Sequence, residues 1–82
     1  MKEVVIFPAA RKVLRRMPAN TAQRILDKIN AYAADPASQA NNVTALLGRD
    51  AVRLRVGDWR VIMREGMVLD VLEVGPRGGI YE

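Results

Sequence analysis

The sequence predicts an α+β fold, β-α-α-β-β-β in order, in which an antiparallel-rich sheet carries a two-helix hairpin on one face. Three observations predict it: a short β-branched run opens the chain, two stretches with helical apolar spacing follow, and from Ala51 the apolar period becomes two. At 82 residues the chain has room for one core, and it is read as a single domain over residues 1–82.

Val4 to Phe7 reads as a strand, stopped at Pro8, where the ladder loses a donor. Pro8 also suits the first turn of a helix, and Ala10, Val13, Leu14 and Met17 then recur at helical spacing, with Arg11, Lys12, Arg15 and Arg16 between them. Those four cations fit an amphipathic surface helix or a grip on nucleic-acid phosphates. Met17-Pro18 breaks the pattern. Asn20 with Gln23 three positions later has the form of a capping box, and Ala22, Ile25, Leu26, Ile29 and Ala33 continue as one apolar stripe. Asp35-Pro36 ends it, because a residue before proline is pushed out of the helical region. Residues 37–50 are small and polar, and Val43 to Leu47 fits either a helical turn or a loop anchor.

From there strands follow. Val52, Leu54 and Val56 alternate with Arg53 and Arg55, Gly57-Asp58 is a two-residue hairpin connection, and Trp59 to Met63 returns. Glu65-Gly66 offers a second turn before Met67 to Val74, whose nearly continuous apolar character fits a strand covered on both faces. Gly75-Pro76 and Gly78-Gly79 mark a turning tail.

Composition excludes several function classes. Cysteine and histidine are absent, which removes thiolate chemistry, the usual zinc ligands and the side chain that exchanges protons near neutral pH. A Ser/His hydrolase and a metalloenzyme are therefore not expected, and no cofactor is implied. No apolar run is long enough to span a membrane, so a cytoplasmic location is expected. The 13 Lys and Arg against 9 Asp and Glu give a net charge of +4, which leans towards phosphate-bearing partners.

Hairpin parity decides where that charge goes. If Gly57 and Asp58 are the turn, Val56 faces Trp59, Arg55 faces Arg60, Leu54 faces Val61 and Arg53 faces Ile62. Directly opposed residues share a face, so Arg53, Arg55 and Arg60 emerge together while Val52, Leu54, Val56, Trp59, Val61 and Met63 cover the other side. Trp59 is thereby assigned to the core rather than to a base-stacking platform. Opposed like charges weaken a strand pair, and a polyanion would reward them; the alternative reading is a solvated basic face with acidic neighbours such as Glu73. Arg77 follows the last strand and Tyr81 lies four residues on. That tyrosine fits base stacking or phosphate contact and fits equally an anchor for the tail.

The string Val52-Arg53-Leu54-Arg55-Val56-Gly57-Asp58-Trp59-Arg60-Val61-Ile62 resembles the RelE/ParE toxin family of type II toxin-antitoxin systems, with its basic strand, glycine turn, aromatic, arginine and two apolar residues. Pro8 to Leu14 with Met17-Pro18, Asp35-Pro36, Val74-Gly75-Pro76-Arg77 and Ile80-Tyr81 extend the similarity over almost the whole chain. The resemblance implies the same β-α-α-β-β-β order and a cognate antitoxin over the basic face. On the RelE-like branch it implies metal-independent cleavage of mRNA in the ribosomal A site, by attack of a ribose 2′-hydroxyl on the neighbouring phosphate.

Arg53 and Arg55 then match the basic-strand positions, Arg60 the second-strand arginine, Arg77 the C-terminal arginine and Tyr81 the terminal tyrosine, and all five are candidate catalytic residues. Two departures stand out. RelE-like enzymes often have lysine where Arg53 and Arg55 stand, and arginine stays protonated, so Tyr81, a carboxylate, the substrate or the ribosome must take the proton. Many relatives also carry His or Lys before the tail arginine and a basic residue after it, where Pro76 and Gly78 stand here. The ParE branch shares the fold and poisons DNA gyrase, and an inactive member would only bind its antitoxin, so fold alone does not choose among these activities.

Overall fold

In the computed structural model, which describes residues 1–78, the opening β-branched run forms β1 (Val4–Ile6) and Pro8 begins α1 (Pro8–Arg16). Proline is suited to that place because the first turn needs no N–H from it. Ala10 and Leu14 point into the core, whereas Arg11, Lys12, Arg15 and Arg16 are exposed. Helix α2 (Ala19–Ala34) buries Ile25, Ile29, Tyr32 and Ala33 along one stripe and ends before Pro36, with the Asp35 N–H donating to the Ala31 carbonyl at 2.9 Å.

The expected capping box does not form. The helix starts two residues earlier than that pattern requires, with Pro18 at its N-cap and the N–H groups of Thr21 and Ala22 both reaching the Pro18 carbonyl at 3.0 Å. Asn20 thus falls inside the helix and accepts only from the Thr21 N–H, and Gln23 turns to Asp27 four residues on, at 2.8 Å.

The apolar patch from Val43 to Leu47 is neither a helical turn nor a loop anchor, because its first three residues are a strand. A 3₁₀ segment (Pro36–Asn42) leads into β2 (Val43–Ala45), which pairs antiparallel with β3 (Val52–Val56). Val43 packs against the core. The α+β fold class therefore stands with one strand more than the sequence suggested. Three residues are too few to display a period of two.

With β4 (Trp59–Glu65) and β5 (Leu69–Pro76) the sheet has the order β1-β5-β4-β3-β2, parallel only where β1 meets β5. The β3–β4 register is the one that parity gives: Val52, Arg53, Leu54, Arg55 and Val56 oppose Met63, Ile62, Val61, Arg60 and Trp59. Leu54, Val56, Val61, Met63, Leu69, Val71 and Val74 form the sheet's half of the core, with half-buried Trp59 packed at its margin. Both helices cover that side, which leaves the arginine side uncovered by helix. Between β4 and β5 the register slips after Ile62, which faces Glu73, while Met63 faces Val71.

At the other end of β4 from the hairpin turn, Tyr32 donates a 2.8 Å hydrogen bond to Glu65, which also accepts from Lys2 at 3.1 Å. Burial first, and then the Glu65 carboxylate, push the Tyr32 phenol up to about 12. The bonds from Tyr32 and Lys2 hold the Glu65 carboxyl below its ordinary value. A lowered carboxylate contributes stability that is complete above its unfolded value of 4.5 and is lost as pH falls through the folded one. A raised phenol contributes below 10.0 and is lost as pH climbs towards about 12. In thermal melts against pH, Glu65→Gln should show a shallower acid limb and Tyr32→Phe a shallower alkaline limb. The acid effect is small because the Glu65 side chain is partly exposed. Limbs that superimpose on the parent's would show that this trio does not titrate with folding.

Candidate functional site

The β3–β4 hairpin ends in Gly57-Asp58, and glycine at position 57 takes its φ of +57° without the strain a side chain would bring. Closure of that turn sets Arg55 and Arg60 opposite each other on the sheet face away from the helices. Arg60 is the more constrained. Only 8% exposed, it donates from Nη1 to the carbonyls of Gly57 and Trp59, both at 3.0 Å, so its guanidinium is fixed against the turn. Across β5 its partner is Gly75, which sets no side chain beside it. Arg55 is exposed and donates from Nη2 to Asn42 Oδ1 at 3.0 Å, an anchor supplied by the 3₁₀ segment.

Two hollows open on these arginines. The larger, about 540 Å³, lies between the hairpin and α2, and its walls carry Arg24, Lys28, Arg55, Arg60 and Arg77 with Asn42 and Asp58. The smaller, about 180 Å³, brings Arg53 to Arg55 and Arg60 beside Asn41, Asn42 and Thr44. Arg77 reaches the cleft because its backbone N–H donates to the Asp58 carbonyl at 2.8 Å, tying the end of β5 to the turn. Of the five residues expected from sequence, Arg53, Arg55, Arg60 and Arg77 thus surround adjoining hollows. Tyr81 lies outside the described residues.

Charge is distributed unevenly over this face. Away from the turn, Arg64 pairs with Asp70 at 2.9 Å and stands 5.8 Å over the Phe7 ring, and Arg49 lies 3.8 Å from Glu73. Glu73 keeps one buried oxygen without a hydrogen bond. In the cleft, five cations face Asp58 alone among the carboxylates of the described residues. Guanidinium groups keep their charge and offer forked donors to phosphate oxygens, so the arrangement suits a bound phosphodiester and a negative charge growing on it. Among the described residues, no three Asp, Glu, His or Cys side chains gather closely enough to hold a metal ion.

Sequence reasoning missed Arg24, Lys28 and Asn42. The helical pair carries a signal in hindsight: each stands one residue before a core position, Ile25 or Ile29, and four residues from the other, so both flank the buried stripe. Which edge of the sheet that flank meets is not encoded in helix periodicity. Arg24 comes so near the turn that a Cβ on Gly57 would stand 2.9 Å from its Nη2.

A family model described as the ParE toxin of type II toxin-antitoxin system, parDE, matches residues 4–81. No curated protein matches the sequence significantly. Among solved structures, the chain is similar to one in the archaeal RelE-RelB complex from Pyrococcus horikoshii OT3, with 28% identity, a TM-score of 0.80 and coverage of 95% of this chain and 97% of that one. It is also similar to chains in the intact E. coli RelBE toxin-antitoxin complex (20% identity, TM-score 0.74, coverage 93% and 96%) and the RelB-RelE complex from Methanococcus jannaschii (19%, 0.72, 95% and 95%). At such identities the last two show a common fold.

Proposed function

The chain belongs to the ParE toxin family of type II toxin-antitoxin systems, and from that premise we propose that it is a ribosome-dependent, metal-independent mRNA endoribonuclease that arrests translation. The observation that carries the reading is the convergence of Arg55, Arg60 and Arg77 with Arg24 and Lys28 on one cleft beside the hairpin turn. A volume of about 540 Å³ lies within the range of small-ligand sites, enough to seat a nucleotide and its phosphate.

In this mechanism the ribose 2′-oxygen attacks the neighbouring phosphorus, the bond from phosphorus to the 5′-oxygen breaks, and the products are a 2′,3′-cyclic phosphate and a 5′-hydroxyl. Arg60, held by the turn carbonyls, and Arg55 and Arg77 stabilise the charge that develops on the phosphoryl oxygens. Arg53 binds the adjacent stretch of backbone from the smaller hollow. The 2′-hydroxyl proton passes to Asp58, the carboxylate on the cleft wall, or to Tyr81, and the same proton serves the leaving 5′-oxygen. A cognate antitoxin silences the protein by covering the basic face; an antitoxin partner as such is supported by the similar chains solved in toxin-antitoxin complexes. The partners are then antitoxin, ribosome and mRNA in a cytoplasmic setting. No helix among the described residues is long and apolar enough to cross a membrane.

A second reading, inhibition of DNA gyrase, is favoured by the family description itself, which names parDE. Inducing the chain without antitoxin and mapping transcript 5′ ends separates the two. New in-frame cuts confined to translated regions are expected. Growth arrest with intact transcripts, together with blocked supercoiling by purified gyrase, would transfer the assignment to gyrase. Harmless expression would leave a protein that only binds its antitoxin.

A further inference from the structure

The arginines of this protein differ in what holds them. Arg64 is paired with Asp70 at 2.9 Å, and Arg49 stands 3.8 Å from Glu73. Arg55 is held by an amide instead: its Nη2 donates to Asn42 Oδ1 at 3.0 Å, its one hydrogen bond among the described residues. Strand pairing puts the amide there. Val43 of β2 opposes Leu54 of β3, so Asn42, the residue before Val43, comes alongside Arg55. Asn42, Arg55 and Arg60 are the three residues that border both hollows, and Asn42 is the uncharged one.

Arg55 needs such a restraint. It directly opposes Arg60, and like charges in that relation repel. The Arg60 guanidinium is fixed by its two bonds to the turn carbonyls, so the exposed Arg55 side chain is the one that moves away if nothing holds it. A carboxylate at position 42 would hold Arg55 through a charge-assisted bond, and it would also cancel the charge that attracts a phosphate. The amide oxygen restrains the guanidinium and leaves its charge intact.

We propose that Asn42 is a positioning residue for phosphate binding: it orders Arg55 beside Arg60 without neutralising it, so that both guanidinium groups meet one phosphodiester. This role rests on the proposed binding of an RNA phosphodiester in the cleft, and it is the same whether or not the bound strand is then cut.

Two measurements on the full chain test it, with Asn42→Ala and Asn42→Asp beside the parent. The first is NMR of the arginine side chains without RNA. The Asn42 bond should slow rotation of the Arg55 guanidinium enough to resolve its Nη signals; Asn42→Ala should average them and Asn42→Asp should keep them. The second is fluorescence anisotropy with a single-stranded 2′-O-methyl RNA, whose blocked 2′-oxygen prevents cleavage, across a salt series. Asn42→Ala should bind about 2- to 12-fold more weakly, the cost of ordering one free side chain, with the salt slope unchanged. In an Arg55→Ala background the same substitution should cost nothing more. Asn42→Asp keeps the bond and neutralises one cation, so it should flatten the slope of log affinity against log salt by about 0.7.

Resolved Arg55 signals in Asn42→Ala, or an undiminished loss of affinity in the Arg55→Ala background, would overturn the positioning role. A parental salt slope in Asn42→Asp would overturn it too, since the neutrality of the amide would then be without effect. Absence of RNA binding by the parent would sink the phosphodiester reading of the cleft and this role with it. Normal binding with intact cellular transcripts would remove only the cutting step and leave the role of Asn42 standing.

Discussion

Arg60→Ala should reduce cleavage of mRNA in programmed ribosomes by about 100- to 1,000-fold, the loss seen when one preorganised donor to a developing oxyanion is removed. Its special standing among the arginines comes from its mounting. An exposed guanidinium must be ordered as it binds, whereas Arg60 is 92% withdrawn from solvent and already locked by two bonds from Nη1 to the turn carbonyls. Arg60 thus stands on the cleft wall with its guanidinium already ordered. Arg60→Lys keeps the charge and loses the fork, so it should recover only part of the rate.

The alanine variant also strips the Gly57 and Trp59 carbonyls of their charged donor, which costs about 1.5–3 kcal/mol of stability. Measuring the melting temperature alongside kcat and KM therefore separates a damaged turn from a damaged site. A folded Arg60→Ala protein that cuts at the parental rate would remove Arg60 from the proposed mechanism. Arg55→Ala, truncating an exposed group tied only to Asn42, should do less to stability than Arg60→Ala.

Leu54→Ala should lower unfolding free energy by about 2–5 kcal/mol, as for other buried leucines truncated to alanine. Leu54 is fully buried in the middle of β3, between Val43 on β2 and Val61 on β4, where neighbours bonded on both sides cannot collapse into the space. A domain of 82 residues has roughly 4–12 kcal/mol in total at about 0.05–0.15 kcal/mol per residue, and no cysteine is present to cross-link the unfolded chain. The variant is therefore expected to approach the threshold of folding at growth temperature. Urea denaturation gives the number. Leu47→Ala, the same chemical change at a fully exposed position, should stay within about 0.5 kcal/mol of the parent. Equal losses at the two positions would mean that burial does not govern the stability of this chain.

The hairpin was the most legible part of the molecule. A glycine that accommodates φ of +57°, flanked by strict alternation, defines both the turn and all five cross-strand pairs. From that register alone it follows that Arg53, Arg55 and Arg60 share a face, since side-chain direction along a strand has a period of two. The amphipathic stripes of α1 and α2, and the stop at Asp35-Pro36, are legible for the same reason: each depends on contacts within a few residues.

What stayed hidden is long-range. Strand β2 exists because Val43, Thr44 and Ala45 find the free edge of β3, and three residues leave no periodic trace before they find it. The slip after Ile62 leaves Leu72 without a place in the β4–β5 pairing, a local accommodation that neither strand announces. The capping pattern at Asn20 was a false local signal, overridden once the chain entered α2 from Pro18.

By itself, the sequence determined the element types, the hairpin register, the arginine face and the family pattern, all properties set by covalent geometry and near neighbours. Only the tertiary structure decided that Arg24 and Lys28 from α2, Asn42 from the 3₁₀ segment and Arg77 from beyond β5 meet Arg55 and Arg60 around one cleft. That meeting depends on how a helix lies across a sheet edge. Burial of Ile25, Ile29, Leu54 and Val56 in one core fixes it, and no local period records it.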